Sequence, residues 1–173
     1  MVLLMCSMLI LVSCSKTNNS NDSLPEYLNF NELPLNYTLE NAKADGCVVF
    51  KDLSLISGQT EWSKFRKLVK GKKAATVRIA EYYSKENPSL VLIDLSFDGS
   101  AYLVTEEDGV KKQYNYLNHY KVDAGKDASY STLDCYILVN QKDVSFDELE
   151  RSRISSNSND YIDQYRIFVN QIP

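Results

Sequence analysis

The chain has 173 residues, of which 44% are hydrophobic and 24% are charged, and its formal net charge at pH 7 is -4. This composition is typical of a soluble globular protein. The mildly negative net charge argues against a general nucleic-acid-binding surface, which needs an excess of basic residues. We therefore expect no nucleic acid among its partners.

The N-terminal segment contains no charge through residue 13 and ends its apolar run at Leu11-Val12-Ser13-Cys14. It is too short to span a bilayer as a helix and has the length of the apolar core of a secretory signal. The four final residues resemble a bacterial lipobox, in which the cysteine receives a diacylglycerol and the preceding peptide is cleaved. We predict a lipoprotein signal peptide at residues 1–13 and lipidation of Cys14. An uncleaved signal or a buried helix is the alternative.

No Lys or Arg precedes Lys16, so we expect the true start codon to lie upstream. Residues 15–23 are Ser, Lys, Thr, Asn and Asp, which cannot bury enough apolar surface to become ordered. Together with the two-proline segment 24–36, they are predicted to extend the lipid-anchored Cys14 as a flexible tether over residues 14–36. The remaining residues, 37–173, suffice for one domain, which we expect on the outer face of the bacterial cytoplasmic membrane.

Two helices are predicted at the start of this domain. Thr38 can cap the first helix and Gly46 can stop it, after which residues 47–50 read as a buried strand. The second helix carries apolar residues at helical spacing and ends at Gly71. These apolar residues are Trp62, Phe65, Leu68 and Val69. Trp62 is interpreted as a core anchor rather than a ligand platform.

After the second helix the hydrophobic period changes to two, which indicates strands. The predicted strands are TVRIAEYY (76–83), SLVLIDLSF (89–97), AYLVTE (101–106), VKKQYNYLNHYKV (110–122) and TLDCYILVN (132–140). Asp98-Gly99 and Asp108-Gly109 favour tight turns, because both residue types tolerate positive φ. The first four strands are predicted to form an antiparallel meander, and the fifth extends it to about five strands.

The C-terminal segment is predicted to be helical. Ser145 and Glu148 stand in capping-box register, and the apolar residues of 161–172 fit one helical stripe. An edge strand at residues 165–170 is the alternative, and we favour the helix. The predicted fold class is α+β, with helices packed on one face of the antiparallel sheet.

Three segments carry a resemblance to a known family. They are YTLENAKADGCVVF (37–50), KGKKAATVRIAEYY (70–83) and LIDLSFDG (92–99). They resemble an uncharacterised family of small lipoproteins from Gram-positive bacteria, and the likeness covers roughly residues 37–116. The resemblance implies the same localisation and domain extent, but that family has no established activity to carry over.

Neither a metal site nor a cofactor is predicted. His119 is the only histidine and has no local partner pattern for zinc or for a Ser-His-Asp device. DLSFDG resembles the start of a calcium loop, but the twelfth position is Thr105 rather than a carboxylate. Glu81 and Asp94 lie on adjacent predicted strands and could meet as the carboxylate pair of a glycosidase. We interpret them as unrelated surface acids.

A basic run without any acid lies between Trp62 and Ala80. It contains Lys64, Arg66, Lys67, Lys70, Lys72, Lys73 and Arg78. Such a run can face anionic lipid headgroups or wall polymers, or it can be a solvated helix face whose cations suit the helix C-terminus. We favour the solvated face.

Four tyrosines are the predicted binding residues. Tyr114, Tyr116 and Tyr120 share one side of a predicted strand, and Tyr102 lies on the neighbouring strand. A tyrosine combines a large apolar ring with a polar tip, which suits a surface that is wet when free and buried when bound. The competing interpretation is that the rings cover the sheet's core, so the binding patch requires that they be exposed.

Cys47 and Cys135 both lie in predicted strands outside the reducing cytosol, where a disulfide can persist. Two buried free thiols are the other possibility, because each cysteine lies in an apolar run. The sequence leaves both open.

These observations favour a non-enzymatic, lipid-anchored, extracytoplasmic binding or interaction module of unknown ligand. Its expected partners are the membrane, through the N-terminal lipid, and an envelope protein or polymer. The alternatives are an envelope-acting hydrolase with an unmarked carboxylate site and an envelope assembly factor.

Overall fold

The computed structural model describes residues 24–84 and 89–173. The signal peptide, Cys14 and residues 15–23 therefore lie outside the described residues. The helices are α1 (Leu39–Ala44), α2 (Gln59–Lys70) and α3 (Phe146–Ile154). The strands are β1 (Val48–Lys51), β2 (Ser54–Ser57), β3 (Ala75–Tyr83), β4 (Ser89–Phe97), β5 (Tyr102–Glu106), β6 (Lys111–Tyr114), β7 (Tyr116–Asp123), β8 (Thr132–Val139) and β9 (Gln164–Ile172). The predicted α+β class is confirmed.

Six strands form the larger sheet, in the order β2-β1-β3-β4-β5-β6. The predicted antiparallel meander is present as β3 to β6. The prediction of a purely antiparallel sheet is wrong, because β1 pairs with β3 in parallel. The chain runs from β1 through β2 and α2 before it enters β3, and a parallel pair needs a crossover connection of this kind.

A second sheet contains the remaining three strands in the order β7-β8-β9. Residues 110–122 were expected to form one strand, but the strand breaks at Asn115, whose backbone N–H donates to the Asn140 side chain at 3.2 Å. The break leaves β6 in the larger sheet and starts β7 in the smaller one. The expected fifth strand, β8, consequently lies in a different sheet from the meander.

The predicted C-terminal helix is wrong, because residues 164–172 form β9 along the full length of β8. The register of this pair shifts between Tyr136 and Ile137, so that Ile167 has no directly opposite partner. Ile167 and Phe168 are consecutive in sequence and both are buried in the same core cluster. This bulge interrupts the regular alternation of side chains between the two faces of the strand. The resulting spacing of apolar residues resembles that of a helix.

Helix boundaries follow local capping chemistry. Thr38 caps α1, and Ser145 and Glu148 form the predicted capping box of α3. α2 begins after Gly58, which has a φ of +85°. A Cβ on Gly58 would lie 2.5 Å from Val48 Cα, so this helix start requires glycine.

The main core lies between the two sheets and includes the buried side of α2. Its aromatic centre contains Phe50, Trp62, Phe65, Tyr136 and Phe168. α1 packs on the other face of the larger sheet through Ala42, and α3 packs on the other face of the smaller sheet through Leu149. The helices therefore occupy three layers, not the single face that was predicted.

Residues 24–36, which the sequence assigned to the flexible tether, lie against the domain. Arg78, only 1% exposed, donates to both carboxylate oxygens of Asp94 at 2.7 and 2.8 Å and to the carbonyl of Leu28 at 2.7 Å. The Phe30 ring covers the guanidinium at 4.4 Å. Burial is the largest single influence and lowers the pKa of the guanidinium, but the hydrogen bonds to Asp94 and the attraction of its charge, with smaller contributions from Cys47 and Tyr37, together raise it.

Candidate functional site

A cleft of about 490 Å³, which we call the α2 cleft, lies between α2 and strands of both sheets. Its cationic wall consists of Arg66, Lys67 and Lys70, and Ser63 lies on the same side. Phe65 and Val69 of α2 also line it, and the floor, the surface that faces α2, consists of Tyr102, Leu117, His119 and Tyr136 from the two sheets. No acidic residue is among these lining residues.

The helical period explains why one wall is cationic. Ser63, Arg66, Lys67 and Lys70 are three or four residues apart, and side chains at this spacing share one face of a helix. Trp62 and Phe65 lie on the buried side of α2 and fix the helix on the core. The buried and cationic sides of α2 are therefore set by the same periodicity.

Tyr136 of β8 is the centre of the floor. Arg66 Nη1 donates to its hydroxyl at 2.9 Å, and the His119 ring stacks on its ring with centroids 4.3 Å apart and planes 6° apart. Trp62 meets the same ring edge-on at 4.9 Å. Tyr136 is thus held from three directions, which fixes both Arg66 and His119 beside the cleft.

His119 also contacts an acid. Its Nε2 lies 3.2 Å from Asp134 Oδ1, on the strand paired with its own. A protonated His119 would form an ion pair with this carboxylate. The cations of the cleft wall therefore all belong to α2, whereas His119 contributes a ring whose Nε2 contacts Asp134.

The predicted tyrosine patch is not assembled. Tyr102 and Tyr114 are 8% and 2% exposed and belong to the main core. Tyr120 turns towards α3, where its hydroxyl donates to the carbonyl of Val144 at 2.7 Å. Tyr116 alone among the four is exposed. The break at position 115 separates Tyr114 from Tyr116, so the shared strand face on which the patch depended does not exist.

Glu81 and Asp94, the carboxylates considered for a hydrolase, lie on opposite faces of the larger sheet. Asp94 is opposite Arg78 in the β3–β4 register, whereas Glu81 is opposite Val91. The Glu81 carboxylate accepts a hydrogen bond from Tyr83 at 2.7 Å, and burial raises its pKa. The pair cannot act on one glycosidic bond, because both carboxyl groups would have to flank it.

Cys47 and Cys135 are buried free thiols in separate clusters. Cys47 lies on the outer side of the larger sheet with Ala42, and Cys135 lies on the outer side of the smaller sheet with Leu149. The possible disulfide is therefore not formed. Burial raises the pKa of the Cys47 thiol to about 11, although a hydrogen bond with Tyr37 acts in the opposite direction.

We expect two free thiols per molecule when residues 15–173 are unfolded without reductant and titrated with a thiol reagent. The folded protein should react only slowly at pH 8, because both thiols are buried and burial favours the neutral form. A count of zero thiols in the unfolded protein would show that the two cysteines form a disulfide.

The sequence identified the cations of the cleft but not the surface that they face. The spacing of Ser63, Arg66 and Lys70 carried the signal for a cationic helix face. Nothing in the sequence placed His119 and Tyr136 against that face, because both belong to the smaller sheet, which was not predicted.

Other features of the described residues bear on function. No helix within 24–84 and 89–173 is long and apolar enough to cross a membrane. Within the same ranges, His, Cys, Asp and Glu form no group of three that could hold a metal ion. Comparison with family models finds no match for the chain, and comparisons with curated proteins and with solved structures find none either.

Proposed function

We propose that this protein is a lipid-anchored binding module on the outer face of the bacterial cytoplasmic membrane, and that the α2 cleft binds an anionic group of an envelope ligand. The observation that carries the proposal is a wall of three cations over an aromatic floor, with no acid in the lining. The anchor is the lipobox-like sequence ending at Cys14.

The cations favour a phosphate or carboxylate. Arg66 carries a planar guanidinium, which recognises such groups through paired N–H donors, and its contact with Tyr136 restricts its orientation. Lys67 and Lys70 add compact charges on the same helix face. A charge-assisted hydrogen bond is stronger than a neutral one, so these residues supply most of the expected affinity.

The floor of the cleft favours a ligand that carries a ring or a hydrocarbon unit as well as an anionic group. Leu117 and Val69, which are half-buried, offer apolar surface beside the cationic wall, and the exposed His119 ring lies next to them. A sugar ring or a short hydrocarbon unit can pack there while its anionic group reaches Arg66. A phosphate-bearing or carboxylate-bearing unit of an envelope polymer meets both requirements.

The alternative of an envelope-acting hydrolase finds less support. The two carboxylates that the sequence offered for it face opposite sides of the larger sheet. The cleft itself has no carboxylate in its lining, and His119, of the residue type most often used in acid–base catalysis, is stacked on Tyr136 and contacts Asp134. An assembly factor would use the same cleft to hold an acidic segment of a partner.

The single tryptophan gives a direct test, because Trp62 packs edge-on against the Tyr136 ring that floors the cleft. Residues 15–173 would be titrated with glycerol 3-phosphate, inorganic phosphate and citrate while the tryptophan fluorescence is recorded. Uncharged glycerol is the ligand control. We expect a saturable change with the anions and none with glycerol.

Arg66→Gln and Lys70→Gln should each weaken anion binding by about tenfold, because each removes one charge-assisted hydrogen bond. Lys126→Gln, in the turn between β7 and β8, is the matched control and should leave the affinity unchanged. If Arg66→Gln and Lys70→Gln bound the anions as tightly as Lys126→Gln does, the α2 cleft would be excluded as the anion site.

A further inference from the structure

We propose that the turn at the end of α2 docks on an anionic lipid surface. This turn, which we call the lysine turn, contains Lys70, Lys72 and Lys73. The inference rests on the proposed lipid anchor and adds a second, electrostatic contact that orients the anchored domain. Three observations support it: the exposure of the three lysines, an unusual backbone conformation in the turn, and the place where the anchored segment joins the domain.

All three lysines of the turn are exposed. Within residues 24–84 and 89–173, none of them has a carboxylate within ion-pair distance. Lys70 also lines the α2 cleft, whereas Lys72 and Lys73 lie beyond the helix end. Their charges are therefore available to an external anionic surface.

The backbone of the turn is shaped for glycine, yet it carries lysine. The Lys73 N–H donates to the carbonyl of Leu68 and the Lys72 N–H donates to that of Val69, both at 2.9 Å, which is the Schellman pattern. Lys72 has a φ of +53°, in the left-handed region where glycine is strongly preferred. A lysine here places a cation at the tip of the turn at a cost in stability.

The segment that leads to the anchor meets the domain beside this turn. Leu24, the first described residue, shares a cleft with Leu68, Ala74 and Phe97. Ala74 directly follows Lys73, and Leu68 accepts the Lys73 hydrogen bond. The ten residue steps from Cys14 to Leu24 can span at most about 35 Å when fully extended. An anchor at Cys14 therefore keeps this end of the domain close to the membrane.

Two acidic residues lie near the lysine turn, but they do not neutralise its positive charge. Glu26 lines the same cleft as Leu24. Asp98 lies in the β4–β5 turn, where its carboxylate accepts hydrogen bonds from Ser100 and Ala101. Asp94, which also lines that cleft, is already bound by Arg78. Three lysines against two unneutralised acids leave a positive surface.

Each lysine near an anionic membrane is expected to strengthen binding by about fivefold. Three lysines alone give weak, salt-sensitive binding, which suits a domain whose retention depends on a lipid. Their effect is to select the orientation in which the lysine turn faces the headgroups.

The test uses unlipidated residues 15–173 and sedimentation with vesicles of phosphatidylglycerol and phosphatidylcholine, compared with phosphatidylcholine alone. We expect binding to the anionic vesicles that falls with added salt. Lys72→Gly should lower this binding about fivefold and raise the thermal midpoint by about 2 °C, because glycine suits the positive φ. A purely structural role for this residue would not give opposite signs in the two measurements.

Lys126→Gln is the matched control, because it removes one exposed lysine from the turn between β7 and β8. It should leave vesicle binding unchanged. If Lys72→Gly binds anionic vesicles as well as the parent chain does, or if both variants lose binding equally, the lysine turn is not the membrane contact.

The anchor is tested separately. Acyl labelling of the full chain in bacterial cells should be lost in Cys14→Ala. Labelling that persists in the variant overturns the lipid anchor, and with it the proposed place of the domain, but it leaves the vesicle result as a property of the lysine turn. Loss of labelling together with a negative vesicle result overturns the lysine turn alone.

Discussion

Asp94→Ala is expected to lower the free energy of unfolding by about 3–5 kcal/mol, which is the usual cost of removing one partner from a buried ion pair. The variant would leave the Arg78 guanidinium buried without the two hydrogen bonds that Asp94 accepts. Urea denaturation of residues 15–173 measures the change. The segment around Leu28 should also loosen, because its carbonyl contacts the same guanidinium.

Glu40→Ala is the matched control, because Glu40 pairs with Lys43 at 2.9 Å on the exposed surface of α1. Surface pairs of this kind contribute about 0–1 kcal/mol. Replacing both partners, as in Arg78→Met with Asp94→Leu, should cost less than Asp94→Ala alone, since no buried charge remains. If Asp94→Ala cost no more than Glu40→Ala, the buried pair would not hold the N-terminal segment on the sheet.

Trp62→Ala is the second large effect, with an expected loss of about 3–5 kcal/mol from the cavity that it leaves in the core. The indole packs against Phe65, Tyr136 and Phe168 with centroids 5.5, 4.9 and 4.9 Å away. It therefore joins α2 to the smaller sheet. The same cavity should weaken anion binding, because Tyr136 loses one of the contacts that fix the floor of the α2 cleft.

Trp62→Phe separates the contribution of the aromatic ring contacts to stability from that of the indole N–H. Among the residues that the structure describes, the buried Nε1 of Trp62 has no hydrogen-bond partner. Phenylalanine keeps an aromatic ring in the core and removes this N–H, whose burial is unfavourable. We expect Trp62→Phe to cost less than half of what Trp62→Ala costs, as measured by chemical denaturation followed by circular dichroism. Equal costs would show that the ring contacts do not stabilise the core.

Local chemistry made parts of the fold predictable. The Ser145 and Glu148 capping box and the Thr38 cap both form where the sequence indicated them. The Asp-Gly pairs lie in the turns that join β4 to β5 and β5 to β6. These features depend on a few neighbouring residues, so no long-range contact was needed to infer them.

The errors came from pairing that no local pattern encodes. The parallel match of β1 with β3 depends on the path of α2, and the break at Asn115 depends on where the second sheet begins. The bulge at Ile167 gave a strand the apolar spacing of a helix. Each error concerns contacts between residues far apart in sequence.

The candidate site was predictable only in part. The cationic face of α2 follows from the spacing of Arg66 and Lys70, but the surface opposite it belongs to a sheet that the sequence did not indicate. The packing of residues 24–36 was likewise hidden, because it depends on Arg78, a cation in a basic run that turned out to be buried on a strand. A charge that is buried and paired looks the same in sequence as one that is solvated.

Nuclear magnetic resonance of ¹⁵N-labelled residues 15–173 titrated with glycerol 3-phosphate tests the anion site most directly, because it locates the ligand residue by residue. We expect the largest amide shifts in residues 63–70 of α2 and at Leu117, His119 and Tyr136, which line the α2 cleft. Shifts confined to other surfaces, or no saturable shift at all, would contradict an anion-binding cleft beneath α2.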